Sequence, residues 1–205
     1  MLEGGEGSGK STQARLLAAR LQHHPSVPEV VRTFEPGATP RGAKIRSLLL
    51  DDDTELDERT ELLLMVADRA QHCAEVIKPA LTRGAVIVCD RFEPSSLAYQ
   101  GVGRCLGVET VALASAFARG EIAPDMVIVF DVPHEVAMLR RPTAQDRIEK
   151  AGIEFHKRVR AAYRDLAPER NWFVVDGSGT QEVVHALVWD LVAPRLADHF
   201  KASDE

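Results

Sequence analysis

A glycine-rich stretch near the start of the chain has the residue types and the spacing that bind phosphate. Residues 4–11 read Gly-Gly-Glu-Gly-Ser-Gly-Lys-Ser, which is a glycine, four residues and then Gly-Lys-Ser. Phosphate oxygens can lie on backbone N–H groups where no Cβ intrudes and where the backbone can take positive φ. Lys10 can place an ammonium on the β- and γ-phosphates of a nucleotide, and Ser11 can offer its hydroxyl to a magnesium ion.

This stretch has to be held between a strand and a helix, and the rest of the chain alternates between such elements. After the loop, apolar runs predict strands at residues 29–34, 85–89, 126–130 and 172–175. Helical periodicity predicts helices over 12–22, 42–50, 56–81, 108–119, 153–167 and 183–196, with further helices starting at 95 and 135. The alternation predicts a parallel sheet with helices on both faces. Only three residues precede the loop, so either the first strand is short or the numbered start is displaced.

Polar groups follow the predicted strands. Glu35, Asp90 with Arg91, Asp131 and Asp176 each stand at the end of one. In open α/β sheets, ligands bind at the carboxyl ends of the strands. We therefore expect these side chains to face the phosphate-binding loop.

Composition and charge narrow the class of protein. The chain has 205 residues, 45% of them apolar and 27% charged, which is ordinary for one globular domain. A net charge of −6 argues against a nucleic-acid partner. Three widely separated cysteines, Cys73, Cys89 and Cys105, predict reduced thiols in a cytoplasmic protein. The sequence has no run of 18 apolar residues, and it therefore predicts no membrane span.

Motifs along nearly the whole chain resemble the thymidylate kinase family. The most discriminating is Ser-Ser-Leu-Ala-Tyr-Gln-Gly at 95–101, because the phosphate-binding loop alone occurs in many nucleotide-binding proteins. The other matching segments are 3–12, 35–37, 67–72, 90–92, 124–125, 131–132, 146–149 and 155–163.

The resemblance implies a fold and an organisation. The expected fold is the P-loop NTPase type, a three-layer α/β/α arrangement with a five-stranded parallel sheet in the order 2-3-1-4-5. The chain would form a single domain over residues 1–205 with a mobile lid near 140–152. It would be a cytoplasmic homodimer packed through helices, with no membrane or nucleic-acid partner.

The resemblance also implies an activity: transfer of the γ-phosphoryl group of ATP to dTMP, giving dTDP and ADP with Mg²⁺ as cofactor. ATP would be bound by Gly4, Gly5, Glu6, Gly7, Ser8, Gly9, Lys10, Ser11 and Thr12. The metal would be held by Ser11 and Asp90, partly through water. Lys10 would carry the main catalytic charge on the donor side.

On the acceptor side, Arg91 follows a strand and offers a planar guanidinium suited to a phosphate. By resemblance, Glu6 meets the sugar 3′-hydroxyl, and the bulk of Tyr99 excludes a 2′-hydroxyl. Contacts with dTMP are also implied for Phe34, Met65, Arg69, Ser96 and Gln100. The alternatives are ion pairs of Arg91 with Asp90 and of Arg69 with Asp68, a core role for Tyr99, and a helix cap at Ser95.

Three arginines flank the predicted lid: Arg140, Arg141 and Arg147. The loop around Glu6 carries no arginine of its own, so the lid would supply the charge that neutralises the transition state, as in the bacterial type of the family. The residues do not say which arginine acts.

Two positions depart from the family pattern. Met65 stands where an aromatic residue usually stacks on thymine, and Phe34 replaces an arginine and would supply an apolar wall for the base. Two other functions therefore remain open: a kinase for another pyrimidine deoxynucleoside monophosphate or for a deoxynucleoside, and a non-catalytic nucleotide-binding module.

Overall fold

A computed structural model describes residues 1–51, 55–140 and 146–201, with side chains as far as residue 196. Arg141 and residues 142–145 of the predicted lid lie outside these ranges. No helix in the described part of the chain is both long and apolar enough to span a bilayer.

Five parallel strands form one sheet in the order β2-β3-β1-β4-β5, which confirms the predicted topology. The strands are β1 (Leu2–Gly4), β2 (Val30–Phe34), β3 (Val86–Asp90), β4 (Ile128–Asp131) and β5 (Phe173–Asp176). The central strand β1 has only three residues, yet it pairs with β3 on one side and β4 on the other. The loop that follows β1 therefore starts in the middle of the sheet.

Helices cover both faces of the sheet. They are α1 (Lys10–Gln22), α2 (Pro40–Leu50), α3 (Glu58–His72), α4 (Lys78–Thr82), α5 (Glu93–Ser96), α6 (Val108–Arg119), α7 (His134–Arg140), α8 (Ile153–Glu169) and α9 (Gln181–Lys201). Ile128 and Phe130 pack with α1 and α9, whereas Val127 and Val129 pack with α8. Because successive strand residues point to opposite faces, a continuously apolar strand buries both, as its sequence predicted.

Two π-helical segments differ from the predicted helices. The helix predicted over 56–81 is interrupted by Cys73–Ile77, between α3 and α4. Pro79 lacks the N–H that would bond the carbonyl four residues earlier, which disfavours regular α geometry at this point. A second π-helical segment, Leu97–Gly103, follows α5 and carries Tyr99 and Gln100. Hydrophobic periodicity does not distinguish a π turn from an α turn, whereas π segments are frequent at functional sites.

Candidate active site

The phosphate-binding loop joins β1 to α1, and its glycines are required by the geometry. Gly4 has φ 140°, and a Cβ there would lie 2.6 Å from the carbonyl oxygen of Phe130 on β4. Gly9, with φ 90°, is the N-cap of α1 and has no side chain that could occupy the first N–H groups of the helix. Those N–H groups and the positive end of the helix dipole are therefore available to an anion.

Lys10 is the first residue of α1, and its side chain is buried inside the loop. Its Nζ donates to the carbonyl oxygen of Gly5 over 3.0 Å. Burial and the nearby Arg91 guanidinium lower the pKa of Lys10. The carboxylates of Glu6, Asp90 and Glu3 offset only part of this effect, so the ammonium would gain from the additional negative charge of a phosphate.

A donor cleft opens over this loop. Glu6 to Thr12 line it, together with Arg140 from the end of α7 and the turn after β5. Arg140 donates to the carbonyl oxygens of Gly177 over 2.8 Å and of Ser178 over 3.0 Å. Of the predicted ATP-binding residues, only Gly4 and Gly5 do not line the cleft.

An acceptor pocket lies on the other side of Glu6. Most residues predicted for dTMP line it: Glu6, Met65, Arg69, Arg91, Ser96, Tyr99 and Gln100. The structure does not bring Phe34 into this lining; the residue ends the edge strand β2 and is 43% exposed. Its neighbour Thr33 points into the core, and the alternation of a strand turns Phe34 to the opposite side. Phe92 lines the pocket and had not been predicted.

Arg91 links the acceptor pocket to the loop. It has φ 71°, and its guanidinium donates to Glu6, to Tyr99 Oη over 3.1 Å and to Ser95 Oγ over 3.0 Å. The predicted alternative, an ion pair with Asp90, is wrong, because the carboxylate that Arg91 meets is Glu6. Burial lowers the pKa of Arg91, but the Tyr99 and Glu6 oxygens outweigh it and raise the pKa above the ordinary value. The guanidinium therefore remains charged.

Glu6 is the point at which the two openings meet. It lines the donor cleft with Lys10 and the acceptor pocket with Arg91. A group bound on the loop and a group held by Arg91 would therefore face each other across this residue.

Glu3 is a positioning residue. It lies in a segment that resembles the family, but the sequence predicted no role for it. It is fully buried in β1 and accepts hydrogen bonds from Phe92 N (2.7 Å), Ser95 Oγ (2.6 Å) and Tyr163 Oη (3.0 Å). The suggestion that Ser95 caps a helix is therefore wrong, since α5 begins before it at Glu93. The available signal was a carboxylate inside a strand that must be buried on both faces.

Arg69 belongs to a buried network beneath the acceptor pocket. Its guanidinium donates to Glu35 Oε2, Ser115 Oγ and Ser96 Oγ, each over 3.0 Å. His72 contacts the other Glu35 oxygen over 2.9 Å. The predicted alternative, a pair with the adjacent Asp68, is wrong, because consecutive residues on a helix point apart. Arg69 is thus held rigidly at the wall of the pocket.

The two described lid arginines point to different places. Arg140 lines the donor cleft, as above. Arg147 instead donates to Glu61 Oε2 over 2.7 Å and to the Leu49 carbonyl oxygen, on the side of α2 and α3. The structure does not bring Arg147 to the donor cleft, and Arg141 lies outside the described residues.

Two predicted magnesium contacts lie around the loop. Ser11 is exposed beside the donor cleft. Asp90 has a buried carboxylate oxygen, Oδ1, without a hydrogen-bond partner among the described residues. A buried carboxylate oxygen in that state is costly unless a cation or its water satisfies it, so these residues fit a hydrated Mg²⁺.

A phosphate-binding loop in a 2-3-1-4-5 parallel sheet, facing a second pocket with a buried arginine, defines a nucleotide kinase of the P-loop class. The profile described as thymidylate kinase matches residues 2–188. The chain belongs to the thymidylate kinase family. It is 47% identical over 203 residues to a thymidylate kinase of Pseudomonas putida, covering 96% of this chain and 95% of that protein. It is 43% identical over 196 residues to one of Halothermothrix orenii, covering 93% and 94%.

A solved structure supports the same assignment. The crystal structure of thymidylate kinase from Ehrlichia chaffeensis matches with a TM-score of 0.76 and 31% identity, over 93% of this chain and 95% of that one. The similarity therefore extends over nearly the whole length of both chains.

Proposed function

We propose that this protein transfers the γ-phosphoryl group of ATP to dTMP, giving dTDP and ADP. The observation that carries the proposal is the junction at Glu6, where the opening that contains Lys10 meets the opening that contains Arg91. Phosphoryl transfer needs the two phosphate chains in line and their charge neutralised, and few other requirements fall on the protein. The family assignment supports the same reaction.

On the donor side, the loop N–H groups and Lys10 hold the β- and γ-phosphates of ATP. Arg140 orders the turn at 177–179 beside the cleft and is the described lid arginine that can add charge there. Ser11 and the Asp90 side chain would hold Mg²⁺ with its water. When bound, the ion neutralises charge on the ATP phosphates.

On the acceptor side, Arg91 grips the phosphate of dTMP, and Glu6 faces the sugar 3′-hydroxyl. Tyr99 is 5% exposed and accepts a hydrogen bond from Arg91, so its side chain is held in place. The 2′-hydroxyl of a ribonucleotide would clash with it. Arg69 and Gln100 meet the polar edge of the base, and Met65 packs on its face. This set of contacts favours a deoxynucleoside monophosphate over a deoxynucleoside.

A turnover assay with four acceptors tests the proposal. With Mg²⁺ and ATP, we expect ADP formation to be fastest with dTMP, lower with dUMP, and weak with dCMP and UMP. Chelating the metal with excess EDTA should remove turnover. A preference for UMP would contradict the role of Tyr99. Binding of dTMP without any dTDP product would replace the proposal by a non-catalytic nucleotide-binding module.

We further propose that the protein is a cytoplasmic homodimer. Free cysteines at all three positions fit a reducing compartment. Four large apolar side chains are exposed on the neighbouring helices α2, α3 and α6: Leu48 (58%), Leu63 (63%), Leu113 (74%) and Phe117 (94%). Exposed apolar groups on adjacent elements are typical of an interface between copies.

Replacing Phe117 by aspartate should convert the dimer to a monomer, because it would bury a charge in that interface. Sedimentation velocity at micromolar concentration measures the change. The matched control is Val183→Asp on α9, which is 55% exposed on the opposite face of the sheet and should leave the dimer intact. If the wild-type chain sediments as a monomer, the homodimer is excluded.

A further inference from the structure

Glu61, on α3, is a fully buried carboxylate that receives hydrogen bonds from three other side chains. Its Oε1 accepts from Gln100 Nε2 over 2.8 Å and, over a longer 3.3 Å, from Arg104 Nε. Its Oε2 accepts from Arg104 Nη2 over 3.1 Å and from Arg147 Nη2 over 2.7 Å. Burial alone would raise the pKa of Glu61, but the Gln100 amide and the two guanidiniums outweigh it and lower the pKa. Glu61 is therefore ionised at neutral pH.

An ionised carboxylate can only accept hydrogen bonds, and this fixes the side-chain amide of Gln100. The end of the amide that faces Glu61 has to be the NH₂ group. The carbonyl oxygen is the other end, and Gln100 lines the acceptor pocket. The pocket is thus presented with a hydrogen-bond acceptor at this point rather than a donor.

Pyrimidine bases differ in whether their edge can form a hydrogen bond with such an acceptor. Thymine and uracil carry an N–H at ring position 3, whereas cytosine carries an unprotonated nitrogen there. An acceptor fixed opposite that position can receive a hydrogen bond from thymine or uracil. With cytosine, the lone pair of the acceptor would face the lone pair of the ring nitrogen, which is costly in a buried site.

We propose that Glu61 sets the base specificity of the acceptor pocket by holding the Gln100 amide with its carbonyl oxygen toward the base. Glu61 is a positioning residue, since it acts through Gln100. The proposal depends on the proposed function, because it assumes that the base of the acceptor lies against Gln100.

The variant Glu61→Gln tests this directly. Oε2 receives two guanidinium donors, Arg104 Nη2 and Arg147 Nη2, whereas Oε1 receives only the longer contact from Arg104 Nε, so the carbonyl oxygen of the new amide would stay on the Oε2 side. Its NH₂ group would then face Gln100, which would turn its own carbonyl toward residue 61 and its NH₂ group into the pocket. We expect the ratio of kcat/KM for dTMP to that for dCMP to fall at least about tenfold. The ratio for dTMP to dUMP should stay within about twofold, since both bases present the same N–H.

A matched control is Arg104→Met, which removes one partner of the same carboxylate and leaves the Gln100 contact in place. It should keep the wild-type ratio of dTMP to dCMP. An unchanged dTMP to dCMP ratio in folded Glu61→Gln overturns the proposal. So does an equal fall in the dTMP to dUMP ratio, which would indicate a loosened pocket rather than a rotated amide.

A measurement on the wild-type chain covers the case in which Glu61→Gln does not fold. With ¹⁵N-labelled glutamine, and Gln100→Leu to assign the signal, the Gln100 NH₂ protons should exchange slowly with water both without and with dTMP. Free exchange that becomes slow only with dTMP would mean that the NH₂ group donates to the base, and would overturn the proposal. If wild-type protein does not phosphorylate dTMP, the proposed function fails, but the exchange of the free chain still reports the amide orientation.

Discussion

Replacing Lys10 by alanine is expected to lower kcat for dTMP phosphorylation by about 10³-fold, because it removes a buried ammonium aimed at the transferred group. The fold should persist, since the only hydrogen bond that Lys10 makes within the described residues is to the Gly5 carbonyl oxygen in its own loop. Burial already lowers the pKa of this side chain, so losing the charge does not cost stability. Steady-state ADP formation with Mg²⁺ and ATP measures the effect, and thermal unfolding checks the fold.

A control of the same chemical type is Lys44→Ala, which removes an exposed lysine from α2. It should keep kcat within about twofold, as expected for surface substitutions. Activity of Lys10→Ala within tenfold of wild type would mean that the loop does not hold the donor phosphates.

Replacing Arg91 by alanine is expected to raise KM for dTMP about 10- to 100-fold and to change KM for ATP much less. Hydrogen bonds to charged groups contribute about 1.5–3 kcal/mol, and Arg91 offers its guanidinium on the acceptor side of Glu6. Both constants come from initial rates with the other substrate saturating. Equal increases in the two KM values would contradict the assignment of Arg91 to the acceptor phosphate.

Two further variants separate charge from geometry at this position. Arg91→Lys keeps a positive charge but not the planar pair of donors, so its KM for dTMP should lie between wild type and Arg91→Ala. Arg83→Ala removes an exposed arginine whose partner is Glu29 and should change neither constant.

Local signals in the sequence were sufficient for the framework. The apolar runs and the loop spacing predicted a parallel sheet with helices on both faces, the resemblance implied its strand order, and the structure confirms both. The position of Arg91 after a strand predicted that it faces the loop, because the carboxyl ends of parallel strands share one edge of the sheet. The resemblance implied that Tyr99 and Gln100 lie with it, and all three line one pocket.

The partners of these residues could not be predicted in the same way. Gln100 and Glu61 are 39 positions apart, and Arg147 and Glu61 are 86 apart, so their contacts depend on the assembled fold. Likewise, Phe34 lies outside the pocket because of which face of β2 is buried, and a sequence motif does not show this. The π-helical segment at Leu97–Gly103 is invisible to periodicity for the reason that it adds only one residue to a turn.

The short strand β1 has a consequence for how donor and acceptor stay aligned. Its residue Glu3 holds the backbone of Phe92, directly after Arg91, while its last residue begins the loop that carries Lys10. Lys10 and Arg91 are therefore positioned by adjacent strands, β1 and β3. Backbone pairing fixes the spacing of such strands at about 4.8 Å. Surface connections elsewhere can lengthen, shorten or fluctuate thermally without changing this in-line alignment. The relative position of the donor and acceptor groups thus depends on the spacing of paired strands, which is the most rigid dimension of the molecule.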